Sequence, residues 1–229
     1  MKSPRVPILI SLPYDAERVQ IYIASDIHNG SAEFSEKKWK AFEDLLSQPD
    51  TYVIFVGDQM EYATRQSKSD VYTQKLSPRQ QKDWWIEHLP LYDIALALGI
   101  KDRYRSEAAF VDIGVGRVGR AGKQVHYVLR VQHQAKNNAN HGTADGFEGI
   151  DVFVSGHTHK PMDKPLGKLI YDTSNKAVYE KTVENVVGGH FLEYGGYGER
   201  AGYRPTSQKL YSIILSGKKK AIETRGFHL

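Results

Sequence analysis

The chain contains no cysteine. That excludes disulfides and thiolate metal sites together, so any metal ion must be held by imidazole, carboxylate, amide or water. It also lacks an apolar run long enough to span a bilayer. No segment is of low complexity and none repeats another. The nearest approach to a targeting signal is the start, where Lys2 and Arg5 flank and precede Val6-Pro7-Ile8-Leu9-Ile10-Ser11-Leu12. That run is short, contains Pro7, meets Pro13 and offers no small-residue cleavage site, so a signal peptide is rejected. No membrane association and a cytoplasmic location are the expectation. Charge of one sign is not in excess either: 31 Lys and Arg face 27 Asp and Glu, for a net charge of +4. This is compatible with phosphate or nucleic-acid substrates without arguing for them.

What is present describes an ordinary globular chain. Of 229 residues, 40% are hydrophobic and 25% charged, which suits one domain over residues 1–229. A domain of this length buries roughly 70% of its extended-chain surface, so it folds without staples. Nine histidines make an imidazole-rich metal site affordable.

The order of elements points to an α/β fold. Gln20–Ala24 reads as a strand running into the polar turn Ser25-Asp26-Ile27-His28-Asn29-Gly30. A helix is expected from about Ser35 to Ser47, with Trp39, Phe42, Leu45 and Leu46 on one face. Thr51–Val56 reads as a buried strand with the same kind of ending, Gly57-Asp58-Gln59-Met60-Glu61. This strand–helix–strand unit carries acidic residues at both strand carboxyl ends, the edge where α/β sheets place ligands. Ser77-Pro78 starts a helix carrying Trp84, Trp85, Ile86 and Leu89. Tyr92–Leu98 is a second helix stopped by Gly99. Strands follow at Ala108–Ile113, Val125–Gln132 and Asp151–Ser155. Beyond them the chain is strand-rich, at Lys168–Tyr171, Ala177–Val183, His190–Glu193, Lys209–Leu215 and Lys220–Thr224, with Ser216-Gly217 as a hairpin turn.

Four strand ends carry metal-type ligands: Asp26 with His28, then Asp58, then His133, then His157 with His159. In a strand, side chains at i and i+2 point the same way, so each pair faces one site if strand geometry persists. Gly57 and Gly156 let the backbone turn sharply beside the site. Singly, each piece is the kind of thing a loop contains without function. Two histidines two apart at a strand end, Gly156-His157-Thr158-His159, seldom have a packing reason, and the ordered set is more specific than any member. His88 on a helix and His126, opposite His133 by parity, read as packing or surface residues. His190 and His228 have no motif context.

In that order, Asp26-Ile27-His28, Gly57-Asp58, His133 and Gly156-His157-Thr158-His159 resemble the motifs of calcineurin-like metallophosphoesterases, over about residues 20 to 160. Leu192–Tyr197 and Gly202-Tyr203-Arg204-Pro205 are similar to phage and prophage members. The resemblance implies a four-layer αββα sandwich with two divalent ions (Mn, Fe, Zn or similar) at one edge. It assigns Asp26, His28 and His159 to the first ion, His133 and His157 to the second, and Asp58 to both. The implied chemistry is hydrolysis of a phosphate ester by a bridging hydroxide between cations about 3.5–4 Å apart. Protein phosphatases of this superfamily carry Gly-Asp-x-x-Asp-Arg-Gly. Gly57-Asp58-Gln59-Met60-Glu61-Tyr62 departs from that pattern, which disfavours protein substrates. Phosphodiesters, nucleotides and nucleic acid among them, and phosphomonoesters stay open. Tyr194, Tyr197 and Arg200 are candidates for a substrate rim, the tyrosines stacking on a ring and the arginine meeting phosphate, alongside Tyr203 and Arg204. The alternative for these is local packing in a glycine-rich connection.

One family element is wanting. A Gly-Asn-His tripeptide, whose asparagine binds the second metal and whose histidine is assigned to the leaving group or phosphate, is absent from residues 62 to 124. Either a segment is missing near Pro90–Tyr92 or the protein dispenses with the element. The first is preferred, because losing a sheet strand disrupts a core more than losing a loop. The absence lends weight to the rival function, a non-catalytic metal-binding or interaction scaffold.

Overall fold

The computed structural model describes residues 7–63, 71–88, 108–118, 122–134 and 146–229. Two sheets face each other. The smaller is built around β2 (Arg18–Ala24), flanked by the parallel β3 (Thr51–Phe55) and the antiparallel β10 (Leu210–Ser216), with β11 (Ile222–Phe227) beyond β10. The larger, seven-stranded sheet runs β1 (Ile8–Ser11), β4 (Ala108–Val118), β5 (Lys123–Gln134), β6 (Val152–Gly156), β9 (Ala177–Val187) and β7 (Met162–Asp163), with β8 (Leu166–Asp172) also pairing to β9.

Period-two alternation explains why the sheets stack. Val19, Ile21 and Ile23 of β2 and Ile213 and Leu215 of β10 face inward. They meet Ile113, Val115, Tyr127, Leu129, Val152 and Val154 from the larger sheet in one buried core. The intervening residues Tyr22, Ala24 and Leu210 turn to the opposite face. There α1 (Glu36–Leu46) brings Trp39 and Phe42, and α2 (Pro78–His88) brings Trp85, into a second core. The outer face of the larger sheet is covered by Ile150, Phe153, Leu166 and Val183 with Phe110 and Phe147. The described residues thus give helix, sheet and sheet layers, and no helix among them covers that last face. No helix among them is long and apolar enough to cross a membrane.

Both long helices start where the sequence predicts. Ser35 caps α1, its side chain accepting from the Lys38 amide. Ser77 opens α2 in a reciprocal capping box. The Gln80 amide donates to Ser77 Oγ, and the Ser77 amide donates to Gln80 Oε1 at 2.9 Å.

Several expectations are corrected. Thr51–Phe55 is half-buried rather than buried, because β3 lies at the edge of the smaller sheet. β1, unpredicted, docks its short apolar run beside β4. His190–Glu193 is not a strand: only Leu192 makes a bridge, to Phe34. Lys220, expected to open a strand, lies in the turn before β11, reaches in to Asp151 at 2.5 Å and lies 4.9 Å over the Tyr127 ring. The predicted Tyr92–Leu98 helix and the Pro90–Tyr92 junction lie outside the described residues.

Candidate metal centre

β2, β3, β5 and β6 deliver the six predicted residues to one edge of the sandwich. β2 and β3 are parallel neighbours, so both end at the same level. The loops that follow are zipped together. Ile27 and His28 amides both donate to the Asp58 carbonyl at 2.9 Å, the Asn29 amide to Gln59, and the Glu61 amide back to Asn29. α2 braces the second loop from behind: the Tyr62 amide donates to Gln81, which is buried, and Trp85 Nε1 donates to the Gln59 carbonyl.

From the other sheet, β5 and β6 run parallel until the register slips between Gln132 and Gln134, leaving His133 in a bulge. A bulge re-aims the side chain it carries. His133 Nε2 thereby reaches 3.1 Å from Asp58 Oδ2.

Convergence does not come from strand parity. Asp26, His28, Asp58, His157 and His159 all have positive φ, between 47° and 73°. Strand geometry has ended before each of them, and left-handed turns aim the side chains. That conformation is uncommon for non-glycine residues and collects at functional sites. The two glycines differ in their reasons. Gly57 does turn through φ +87°, but Gly156 has no positive φ. It is needed for space: a Cβ there would lie 1.9 Å from Ser25 Oγ and 3.0 Å from Asp26 Oδ2. Gly156→Ala should therefore weaken divalent-metal binding roughly 10–100-fold while leaving the circular dichroism spectrum intact. Wild-type affinity in a metal titration would refute that close fit.

Potential ligand atoms fall into two overlapping groups, each with all atoms within 4.8 Å of one another: Asp26, His28 and His159, and Asp26, Asp58, His133 and His157. Asp26 is common to both by proximity. Asp58 Oδ2 also spans them, 3.1 Å from His133 Nε2 and 3.6 Å from His28 Nε2. His157 Nδ1 lies 3.2 Å from His133 Nε2.

These residues suit a cation. Asp26 Oδ1 and His28 Nε2 are both buried without a hydrogen-bond partner. Such an orphan is costly unless something absent from the polypeptide completes it. His159 Nε2 comes within 3.2 Å of Asp26 Oδ1. The remaining atoms are tethered from behind. The Ser25 hydroxyl and, at 2.8 Å, the His157 amide donate to Asp26 Oδ2. His28 Nδ1 donates to Glu61 Oε2 at 2.8 Å, and His133 Nδ1 to the Val56 carbonyl at 2.5 Å. Each tether fixes the tautomer that leaves Nε2 facing the cluster. Glu61 was missed by sequence reasoning. Its position three residues after Asp58 was the available signal, read only as a departure from another motif.

The electrostatics are those of a site built around positive charge. Burial pushes the Asp26 carboxyl up, but His159, Ser25 and His133 together bring it below the ordinary carboxylate range. Asp58 ends low in the same way, with His133 and His28 outweighing burial. Burial pulls His28 and His133 down, yet the carboxylates Glu61, Asp26 and Asp58 around them leave both raised. In the metal-free protein these imidazoles therefore bind protons more tightly than an ordinary histidine, and a cation competes with those protons. Their stabilising contribution is full below the unfolded histidine value and fades as pH rises through the higher folded one. Metal affinity should move oppositely, tightening by up to roughly tenfold per pH unit for each proton displaced as pH rises towards the raised histidine values. Titration calorimetry in buffers of different ionisation enthalpy checks this, and pH-independent affinity without proton release would contradict it.

Other predicted positions sort as follows. His88 stacks on Trp84 at 4.0 Å, and His126 bonds Asp112 at 2.8 Å on an exposed face. Tyr194 is half-exposed, its hydroxyl donating to the Tyr203 carbonyl. Arg200 ends the short helix α3 (Gly196–Arg200), which starts against Glu33: a Cβ on Gly196 would lie 1.6 Å from its Oε1. The side chain of Tyr197, within α3, is outside the described set. The rim candidates thus stand on the segment beside the first loop, and among the described residues neither Tyr194 nor Arg200 bonds to the six. Sequence reasoning also passed over His190, which is buried and stacks on His159 with ring centroids 5.3 Å apart.

No family model matches the sequence, and no curated protein does. Solved structures with a similar arrangement include a single-site variant of Vps29 from Entamoeba histolytica, at 13% identity and TM-score 0.39, over 92% of this chain and 99% of that one. A Streptococcus pneumoniae protein described as a predicted phosphoesterase shows 12% identity and TM-score 0.37, over 92% and 98%. The calcineurin-like phosphoesterase YfkN from Bacillus subtilis shows 12% identity and TM-score 0.39, over 93% and 90%.

Proposed function

We propose that the chain is a divalent-metal-dependent hydrolase of phosphate esters. The observation that carries this is the pair of orphaned, buried atoms, Asp26 Oδ1 and His28 Nε2, inside a cluster of six oxygen and nitrogen donors gathered from four strand ends. Asp26, His28 and His159 would hold one ion, His133 and His157 a second, with Asp58 between them. Bound cations would supply an activated water and offset charge developing on phosphoryl oxygens. Imidazole with carboxylate suits Mn, Fe or Zn.

The chain's own contribution is pre-organisation. Ser25, Glu61 and the Val56 carbonyl take up the outward-facing atoms of Asp26, His28 and His133, so the inward-facing atoms are aligned before any ligand arrives. The two loops cannot drift apart without breaking four backbone hydrogen bonds. His157 and His159 stay partly open to solvent, on the side from which a phosphoryl group would approach. Tyr194, Tyr197 and Arg200 are proposed to line that approach, an aromatic and cationic rim for a phosphodiester, nucleotide or nucleic acid. Glu61 and Tyr62, where the protein-phosphatase pattern has Asp and Arg, favour such substrates over phosphoproteins.

Metal analysis together with hydrolysis of an aryl phosphodiester and an aryl phosphomonoester, with manganese added, tests the proposal. Metal-dependent turnover of either is the expected result. A folded protein that binds divalent ions yet turns over neither would favour the scaffold alternative.

A further inference from the structure

Among the described residues His190 is the one buried histidine outside the six that touches them. Its ring lies nearly flat on His159, at 26° between planes. Its other atoms are fully engaged. The Leu192 amide donates to Nδ1 at 3.3 Å, so Nδ1 carries a lone pair and Nε2 carries the hydrogen, which it donates to Thr206 Oγ1 at 2.8 Å. With both nitrogens occupied, this imidazole has no free atom to offer a cation. What it presents to His159 is a flat face held in a fixed plane. The hold is built from two distant pieces: the turn at Leu192, pinned to Phe34 beside the first loop, and Thr206, shortly before β10.

His159 needs such a support. Among the described residues two of the three other imidazoles facing the cluster, His28 and His133, have an Nδ1 tether to a carboxylate or carbonyl, while the Nδ1 of His157 faces His133. Among the described residues His159 has no such tether, and its close polar neighbour there is Asp26 Oδ1, on the cluster side. A ring without a tether can rotate about χ2, and offset stacking against a fixed aromatic plane restricts that rotation.

We propose that His190, oriented by Thr206, is a positioning residue that sets the ring plane of His159 by stacking, doing for this ligand what Glu61 and the Val56 carbonyl do for His28 and His133. This rests on the metal-centre reading above. His190 neither touches substrate nor binds the ion.

Cobalt titration of the full chain tests it, followed by visible d–d absorption and by equilibrium affinity. His190→Ala should weaken the ion held by Asp26, His28 and His159 roughly tenfold and alter its d–d spectrum. His190→Phe, which keeps a flat ring, should restore most of that affinity. Thr206→Val, which removes the acceptor, should shift the spectrum in the direction of His190→Ala. A general loss of packing would instead make His190→Phe as poor as His190→Ala, or would lower both ions equally, and either result overturns the inference. So does an unchanged affinity and spectrum in His190→Ala, or, if that variant fails to fold, in Thr206→Val. Wild-type protein that takes up no cobalt overturns the metal-centre reading itself and this inference with it.

Discussion

Asp58→Asn should reduce metal-dependent phosphoesterase turnover by on the order of 10³-fold or more, equivalent to roughly 4 kcal/mol of transition-state stabilisation. The expectation follows from position. One carboxylate oxygen, Oδ2, lies within 3.1 Å of His133 and 3.6 Å of His28, between the two ligand groups. An amide preserves the volume but removes the charge that two neighbouring cations would share. It also places a donor nitrogen or a neutral oxygen among imidazoles whose raised proton affinity depends on that charge. The fold should be indifferent to the change, since the loop is held by the Asp58 carbonyl rather than its side chain. The decisive comparison is turnover at saturating manganese beside the thermal melting curve. A variant that keeps more than about a tenth of wild-type turnover would show that Asp58 does not span the two ions.

Trp39→Ala should cost about 3–5 kcal/mol of stability, out of roughly 5–15 kcal/mol for a whole domain. Trp39 is nearly inaccessible and lies at the middle of the helix-side core. Its ring centroid is 5.1 Å from Trp85, 5.5 Å from Trp84, 5.6 Å from Phe191 and 5.7 Å from Phe42. These partners come from α1, α2 and the segment after β9, so truncation opens a cavity bordered by three separate elements that cannot all close on it. For a chain of this size the melting temperature should fall by on the order of 10 °C. Trp39→Phe should cost far less. The indole nitrogen is buried without a partner, so phenylalanine sheds an unsatisfied donor while keeping most of the ring. Equal losses in the two variants would mean that shape filling is not what the site requires. Calorimetric or denaturant unfolding of the metal-free proteins reads both, free of any contribution from ion binding.

The legibility of this chain varied with the range of the interactions involved. Helix starts were legible because capping is local: Ser35 and Ser77 each satisfy amides within three residues. The β2–α1–β3 unit was legible for the same reason, each element carrying its own period. β1 was not, because a four-residue apolar run beside two prolines has no period of its own, and only its pairing with β4, about a hundred residues away, makes it a strand. The exposure of β3 was misjudged because an edge strand and a central one can share a composition. Pairing at the sheet edge is decided by what lies alongside.

The six candidate ligands were named by residue type and spacing, since few arrangements of Asp and His at consecutive strand ends have a packing purpose. The way they converge was not foreseen. Alternation along a strand would aim Asp26 and His28 together only if the strand continued, and it stops at Ala24. The left-handed backbone at five of the six, the bulge at His133 and the missing side chain at Gly156 do the aiming instead. Ser25 and His190 were invisible as supports because neither has a distinguishing neighbour in sequence, and Glu61 offered only its spacing from Asp58.

By itself, then, the order of residues determined which atoms are able to hold a cation, where helices begin, and that no thiolate takes part. Tertiary structure decided which of those atoms meet, which are left without partners, and what holds their rings in plane. Side-chain chemistry and capping are properties of a few consecutive residues, whereas direction and burial depend on backbone turns and on neighbours brought in from more than a hundred positions away.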